Sequence, residues 1–236
     1  MRTAVITGAT RGIGRAIAEA ILRDGGRVMI TGRDRGGVTA AVNELSQAIG
    51  DASRVAGAVA DVRVRAQVDA LMADAAARFG GFDTLVNNAG VGRFADVAAM
   101  SDEDWDNVIG TNLTGPFLCS RAAIPWLKQS GGGWIINIAS LAGRNAFAGG
   151  GAYCASKAGL VAFTEALMQE VRFDNIRVSV VMPGSVATGF SQSSGDDDSW
   201  KLAPADVAEA VVDLLRHPAR SLPSKVEIRP ARPKGK

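Results

Sequence analysis

Residues 3–14 read Thr-Ala-Val-Ile-Thr-Gly-Ala-Thr-Arg-Gly-Ile-Gly, and this stretch decides the fold. Ala4-Val5-Ile6 is the short apolar, β-branched run expected of a buried strand. Thr7-Gly8-Ala9-Thr10-Arg11-Gly12-Ile13-Gly14 follows directly, and Ile13, Ile17 and Ile21 then recur at helical spacing. Glycines at 8, 12 and 14 let the chain turn tightly and bring its backbone close to a ligand. The helix start aims unpaired N–H groups and a positive dipole end at the same place, which suits a pyrophosphate. A glycine cluster alone is a weak signal; a strand before it and a helix after it strengthen it. The spacing is G-x-x-x-G-x-G, not the commoner G-x-G-x-x-G.

The same rhythm continues outward from this loop. Val28 to Ile30, Val55 to Val59, Thr84 to Val86, Ile135 to Ile138, Val178 to Val181 and Val226 to Ile228 read as further strands. Helical stripes lie between them, at Val38, Val42, Leu45 and Ile49, and at Val64, Val68, Leu71, Ala75 and Phe79. Strands that are apolar almost throughout imply a parallel sheet covered on both faces. The expected fold is α/β: a single Rossmann-type doubly wound domain over residues 1–236, with a seven-stranded parallel sheet. Residues 188–203 interrupt the pattern with Ser, Gly and Asp and read as a substrate lid or a plain surface loop. Residues 230–236 read as a flexible basic tail.

Composition excludes several functions. The 236 residues fit one domain, 47% are hydrophobic and 21% charged, as in ordinary globular chains. A formal charge of +2 is too small to predict a nucleic-acid or membrane partner. The chain has one histidine, His217, and one tyrosine, Tyr153. A histidine-rich metal site is therefore impossible, and a Ser-His-Asp triad would need His217, which precedes Pro218 at an apparent helix end. Cys119 and Cys154 form no CxxC pair and read as buried free thiols. Nothing resembles a signal peptide, and no apolar stretch approaches the roughly 20 residues of a membrane span. The expected location is the cytoplasm.

The second strand carries information about the nucleotide. An acidic residue near its end would accept from the ribose 2′-hydroxyl of NAD. Here Thr31-Gly32-Arg33-Asp34 puts glycine at that place and arginine next. Arg33 and Arg11 suit the 2′-phosphate of NADP, so NADP(H) is favoured over NAD(H). Asp34 is either a helix cap or, with a one-residue shift, the ribose acceptor.

Two more motifs complete a set. Asn87-Asn88-Ala89-Gly90 follows the fourth strand, and Tyr153-Cys154-Ala155-Ser156-Lys157 opens a helix thirteen residues after Ser140. Together with the glycine loop, these resemble the short-chain dehydrogenase/reductase family, in family order from Thr7 to Thr188. The resemblance implies hydride transfer between a nicotinamide and a carbonyl or secondary alcohol, with a tetrad of Asn112, Ser140, Tyr153 and Lys157. It also implies cofactor contacts from Thr7, Gly8, Thr10, Arg11, Gly12, Ile13 and Gly14 in the first loop. Further contacts fall to Arg33, Asp61, Val62, Asn88, Ala89 and Gly90, and to Pro183, Gly184, Val186 and Thr188, besides Tyr153 and Lys157 themselves. Most family members are homodimers or homotetramers, joined through the helices after the fourth and fifth strands. Trp105, Trp126, Phe163 and Leu167 belong either to that interface or to the core.

Physical chemistry supports the tetrad. Tyr153 and Lys157 are four apart and share a helix face. A phenol titrates near 10, and an adjacent ammonium should lower that value. Pro116, four residues after Asn112, cannot donate to the Asn112 carbonyl, so a kink is expected there. In the family, the main chain of this asparagine holds a water that connects the lysine to solvent.

The substrate is less legible. Phe94, Leu141, Arg144, Asn145, Phe147, Gly184, Phe190 and Trp200 are candidates to line its pocket. Arg93 and Arg144 either hold a substrate carboxylate or phosphate or lie at the surface. The ending Glu227 to Pro233 is closer to relatives acting on small hydroxy acids than to 3-oxoacyl-thioester reductases. The rival to an enzyme is a catalytically silent NADP(H)-binding sensor or structural relative.

Overall fold

The computed structural model describes residues 2–190 and 198–232. Seven strands run in parallel: β1 (Thr3–Ile6), β2 (Arg27–Gly32), β3 (Val55–Val59), β4 (Thr84–Asn87), β5 (Gly133–Ile138), β6 (Ile176–Pro183) and β7 (Lys225–Ile228). Their spatial order is β3-β2-β1-β4-β5-β6-β7, so the chain reverses direction across the sheet between β1 and β4. Helices α1 (Gly12–Arg23), α2 (Arg35–Ile49) and α7 (Pro204–Arg216) cover one face. The other carries α3 (Arg65–Phe79), α4 (Asp102–Ile109), α5 (Gly115–Gln129) and α6 (Gly151–Val171).

Side chains alternate across the pleat and both faces are apolar. Ala4 and Ile6 join the α1/α2/α7 core while Val5 joins the opposite one; Val28 and Ile30 are likewise opposed by Met29. Central strands also bury the polar Asn87, Asn137 and Ser179, and the edge strands relax the burial itself. β3 leaves Val59 exposed, and β7 alternates exposed and half-buried residues. Val64, placed in a core stripe by the sequence, is exposed at the N-cap of α3, ahead of the helical register that buries Val68. Leu167 is buried in the core on this same face of the sheet, the core position of the two that the sequence left open.

Asp34 caps α2, its carboxylate accepting from the Gly37 N–H at 2.6 Å. His217 caps the other end of α7, and its Nδ1 meets the Ser221 hydroxyl at 3.1 Å. Pro116 has a different consequence from the expected kink. Gly110–Thr114 form a π-helical turn that joins α4 to α5, with the Gly115 N–H donating to the Gly110 carbonyl. Pro116 then falls in the first turn of α5, where a missing N–H is tolerated.

Cys119 and Cys154 are buried and free. Among the described residues, no helix is long and apolar enough to cross a membrane. Of the expected lid, residues 191–197 lie outside the described residues, as do residues 233–236 of the expected tail. Val186, just before the segment, bridges Leu202 near its end, with the Ala187 N–H donating to the Leu202 carbonyl at 2.9 Å.

Candidate active site

The loops that leave β1 and β4 lie side by side at the carboxyl ends of the strands, where an open α/β sheet parts to form a crevice. Thr7 ties them together: its hydroxyl accepts from the N–H groups of Asn88 and Ala89, both at 3.0 Å. The Asn88 amide donates back to the carbonyls of Thr7 and Gly8 at 2.9 Å each. The crossing is too close for side chains. A Cβ on Gly8, whose φ is +63°, would lie 2.7 Å from the Ala89 Cα, and one on Gly14 would lie 2.4 Å from the Asn88 amide nitrogen. The bare backbone and the α1 N-terminus thus face an open cleft of about 990 Å³, at the upper end for small-molecule sites.

The cleft runs from Arg11, Gly32 and Arg33, past Asp61, Val62 and Asn88 to Gly90, to Tyr153 and Lys157. Gly8, Thr10, Gly12, Ile13, Pro183, Gly184, Val186 and Thr188 also line it. Thr7, Gly14 and Asn112 do not; they stand behind the wall and shape it. Arg63 grips the Asp61 carboxylate with both ends of its guanidinium, at 3.0 and 2.6 Å, and these hydrogen bonds hold the carboxyl below its ordinary range.

Ser140 leaves the end of β5 in extended conformation and caps a 3₁₀ turn at Leu141–Gly143, its hydroxyl accepting from the Ala142 N–H at 3.1 Å. The same hydroxyl lines the cleft beside the Tyr153 phenol and favours its ionised form. One helical turn on, the Lys157 Nζ donates to the Ile138 carbonyl at 2.9 Å and stands 5.8 Å from the Tyr153 ring centre. Asn112 is spent on structure: its side chain pairs with both main-chain polar groups of Val91, at 2.8 and 2.9 Å, and donates to Ser156 at 3.0 Å. Its carboxamide is therefore engaged, leaving only its main chain for other partners.

Electrostatics depart from the expected direction at Tyr153. Burial pushes the phenol up, and the neighbouring Ser140 hydroxyl offsets this only in part. Lys157 does not reverse the balance because it is buried too, at 4% exposure; burial pulls its ammonium down to about 8.

The substrate end is walled by Phe94, Phe147, Phe190, Trp200, Leu141 and Asn145, together with Gly184. Arg93 and Arg144 are not in that wall. Arg93 pairs with Asp104 at 3.2 Å and Arg144 with Glu227, both at the surface. Lys201, Arg229 and Pro230 line the cleft instead, and the sequence did not single them out. The signal for the last two was β7 itself. Parallel pairing sets Ile228 beside Pro183, and the Gly184 N–H donates to the Ile228 carbonyl at 2.8 Å, so the chain beyond β7 must pass the cleft.

A crevice at the reversal of a parallel sheet, a glycine-lined start and a Ser-Tyr-Lys group at its far end have counterparts in known proteins. The model of the short chain dehydrogenase family matches residues 2–199. This chain belongs to that family. An uncharacterised oxidoreductase of Staphylococcus aureus is 32% identical over 229 residues, covering 97% of each chain. Among solved short-chain dehydrogenase-like structures, an alcohol dehydrogenase from the archaeon Thermococcus sibiricus, complexed with 5-hydroxy-NADP, superposes with a TM-score of 0.90 at 32% identity over 100% of both chains. A metagenomic short-chain oxidoreductase in complex with NADP gives 0.85 at 36% identity over 98% of both. The short-chain dehydrogenase chain described here is thus an oxidoreductase by family, matched along nearly its whole length.

Proposed function

We propose that the protein is an NADPH-dependent carbonyl reductase in which Tyr153 is the general acid. One observation carries the proposal: Ser140, Tyr153 and Lys157 line the far end of the same cleft that starts on the glycine loop, with the Lys157 ammonium 5.8 Å from the phenol ring centre. The backbone of Gly8, Gly12 and Ile13 and the N-terminus of α1 would hold the pyrophosphate. Asp61 and Val62 would flank the adenine, and Pro183, Gly184, Val186 and Thr188 the nicotinamide. When bound, the reduced dinucleotide supplies the hydride.

Tyr153 donates its proton to the carbonyl oxygen as the C=O π bond breaks and a C–H bond forms at carbon. Ser140 hydrogen-bonds the same oxygen and orients it. The Lys157 ammonium stabilises the phenolate left behind, which recovers its proton from solvent. Burial supports this direction, since a phenol pushed above its ordinary value stays protonated near neutral pH. In the reverse reaction the phenolate is the base.

Arg11 and Arg33 support NADP(H) over NAD(H). Both line the adenosine end, and a Cβ on Gly32 would meet the Thr10 methyl at 2.7 Å, which leaves no ready room for a ribose-binding acid. The two structural relatives described above hold NADP-type ligands. A homodimer or homotetramer through α5 and α6 accords with Phe117, which is 42% exposed, stacks edge-on against Phe163 at 6.3 Å and lies under the Arg121 guanidinium.

Absorbance of NADPH during incubation with ketones, diketones and β-keto acids tests the reading. Carbonyl-dependent oxidation is expected; tight NADPH binding without turnover of any carbonyl would favour the silent sensor. Arg33→Ala should weaken NADPH by about tenfold or more and leave NADH affinity unchanged, as fluorescence titration would show.

A further inference from the structure

We infer that the site selects uncharged carbonyl compounds bearing an aryl or similarly flat apolar group, seated among Phe94, Phe147, Phe190 and Trp200. The inference rests on the reductase reading and narrows its substrate. The Phe94 ring meets the Tyr153 ring edge-on at 5.7 Å, Phe190 packs on Tyr153 at 5.7 Å, and Phe147 reaches Phe94 at 5.9 Å. Three phenylalanine rings thus form one continuous wall with the phenol, and Trp200 lines the same end. Phe94, Phe147 and Phe190 are nonetheless 47%, 50% and 43% exposed, an apolar surface that a ligand would cover favourably.

The backbone is shaped for these rings. A Cβ on Gly92 would lie 2.7 Å from Phe190 and 3.0 Å from Phe94, and one on Gly150 would lie 2.6 Å from Phe147. Glycine at both positions leaves room for the rings to sit against main chain. Ring faces and edges then offer stacked and T-shaped contacts to an aryl group.

Charge points the same way. Among the described residues near this end, Arg93 is committed to Asp104 and Lys201 to Asp198, while Arg144 and Arg229 share Glu227. A substrate carboxylate would lose water beside phenylalanine rings and gain at best a share of that last pair. The small hydroxy acids suggested by the chain's ending therefore suit this pocket poorly.

Steady-state reduction of acetophenone, 4-acetylbenzoate, 2-butanone and acetoacetate with NADPH tests the inference. The value of kcat/KM for acetophenone should exceed each of the other three by about tenfold or more. Phe147→Ala, at a half-exposed position that leaves no buried void, should cut the acetophenone-to-butanone ratio about fivefold. Equal or faster turnover of 4-acetylbenzoate or acetoacetate, or an unchanged ratio in the variant, would overturn the inference and leave the reductase reading standing. Silence towards all four carbonyls would overturn both.

Discussion

Lys157 is where a single residue sets stability against chemistry. Its folded-state value near 8 lies below the ordinary 10.5, and burial is the cause. Between those values the unfolded chain binds more protons than the folded one, so stability rises with pH across that window. At lower pH both states carry the proton and the full penalty of the buried charge remains. Between pH 7.5 and 9.5 the wild type should gain about 2 kcal/mol relative to Lys157→Met, measured by urea unfolding at both values. A constant difference would contradict the burial account. The sequence made this lysine legible through its spacing from Tyr153, but not its depth. Spacing on a helix fixes which residues share a face; how far that face sinks into the protein depends on the turn after β5, to which residues distant in sequence contribute. The same limit explains Arg144. Its charge invited a role with substrate, and only the fold brings Glu227 to it.

At the scale of elements, all seven strands were legible because both sheet faces are buried and apolar runs leave little else to choose. The helical segment around Pro116 was half legible. A missing donor was correctly located, but the backbone absorbs it by a π-helical turn before the proline, because Gly110 to Thr114 can widen while α5 starts afresh. Neighbouring elements are fastened by contacts no pattern announces. The Arg54 guanidinium, beside β3, donates to the Gly26 carbonyl and to the Leu22 carbonyl at the end of α1. Arg54→Ala should destabilise by about 1–3 kcal/mol without changing NADPH affinity, as denaturant titration and cofactor binding would show. An unchanged unfolding midpoint would mean that solvent replaces the clasp at no cost.

At the scale of the whole molecule, the reversal of strand order between β1 and β4 creates the cleft, and the glycine loop already indicated where it would open. Phe94, Phe147 and Phe190 were legible as pocket residues; what lay beyond the sequence was Lys201 and the chain past β7, which only the tertiary fold brings to the same wall. The outer surface carries its own expectation. If α5 and α6 join two copies, Phe117→Asp should shift the mass measured by light scattering towards the monomer, whereas an unchanged mass would place the contact elsewhere. The central claim concerns the only tyrosine. Tyr153→Phe removes one oxygen, keeps the ring packed between Phe94 and Phe190, and leaves the glycine loop untouched. The direct measurement is NADPH oxidation by wild type and this variant with the same ketone, beside fluorescence titration of NADPH. A fall in turnover of about a hundredfold or more with unchanged NADPH affinity is the predicted result, and retained turnover in the variant would contradict it.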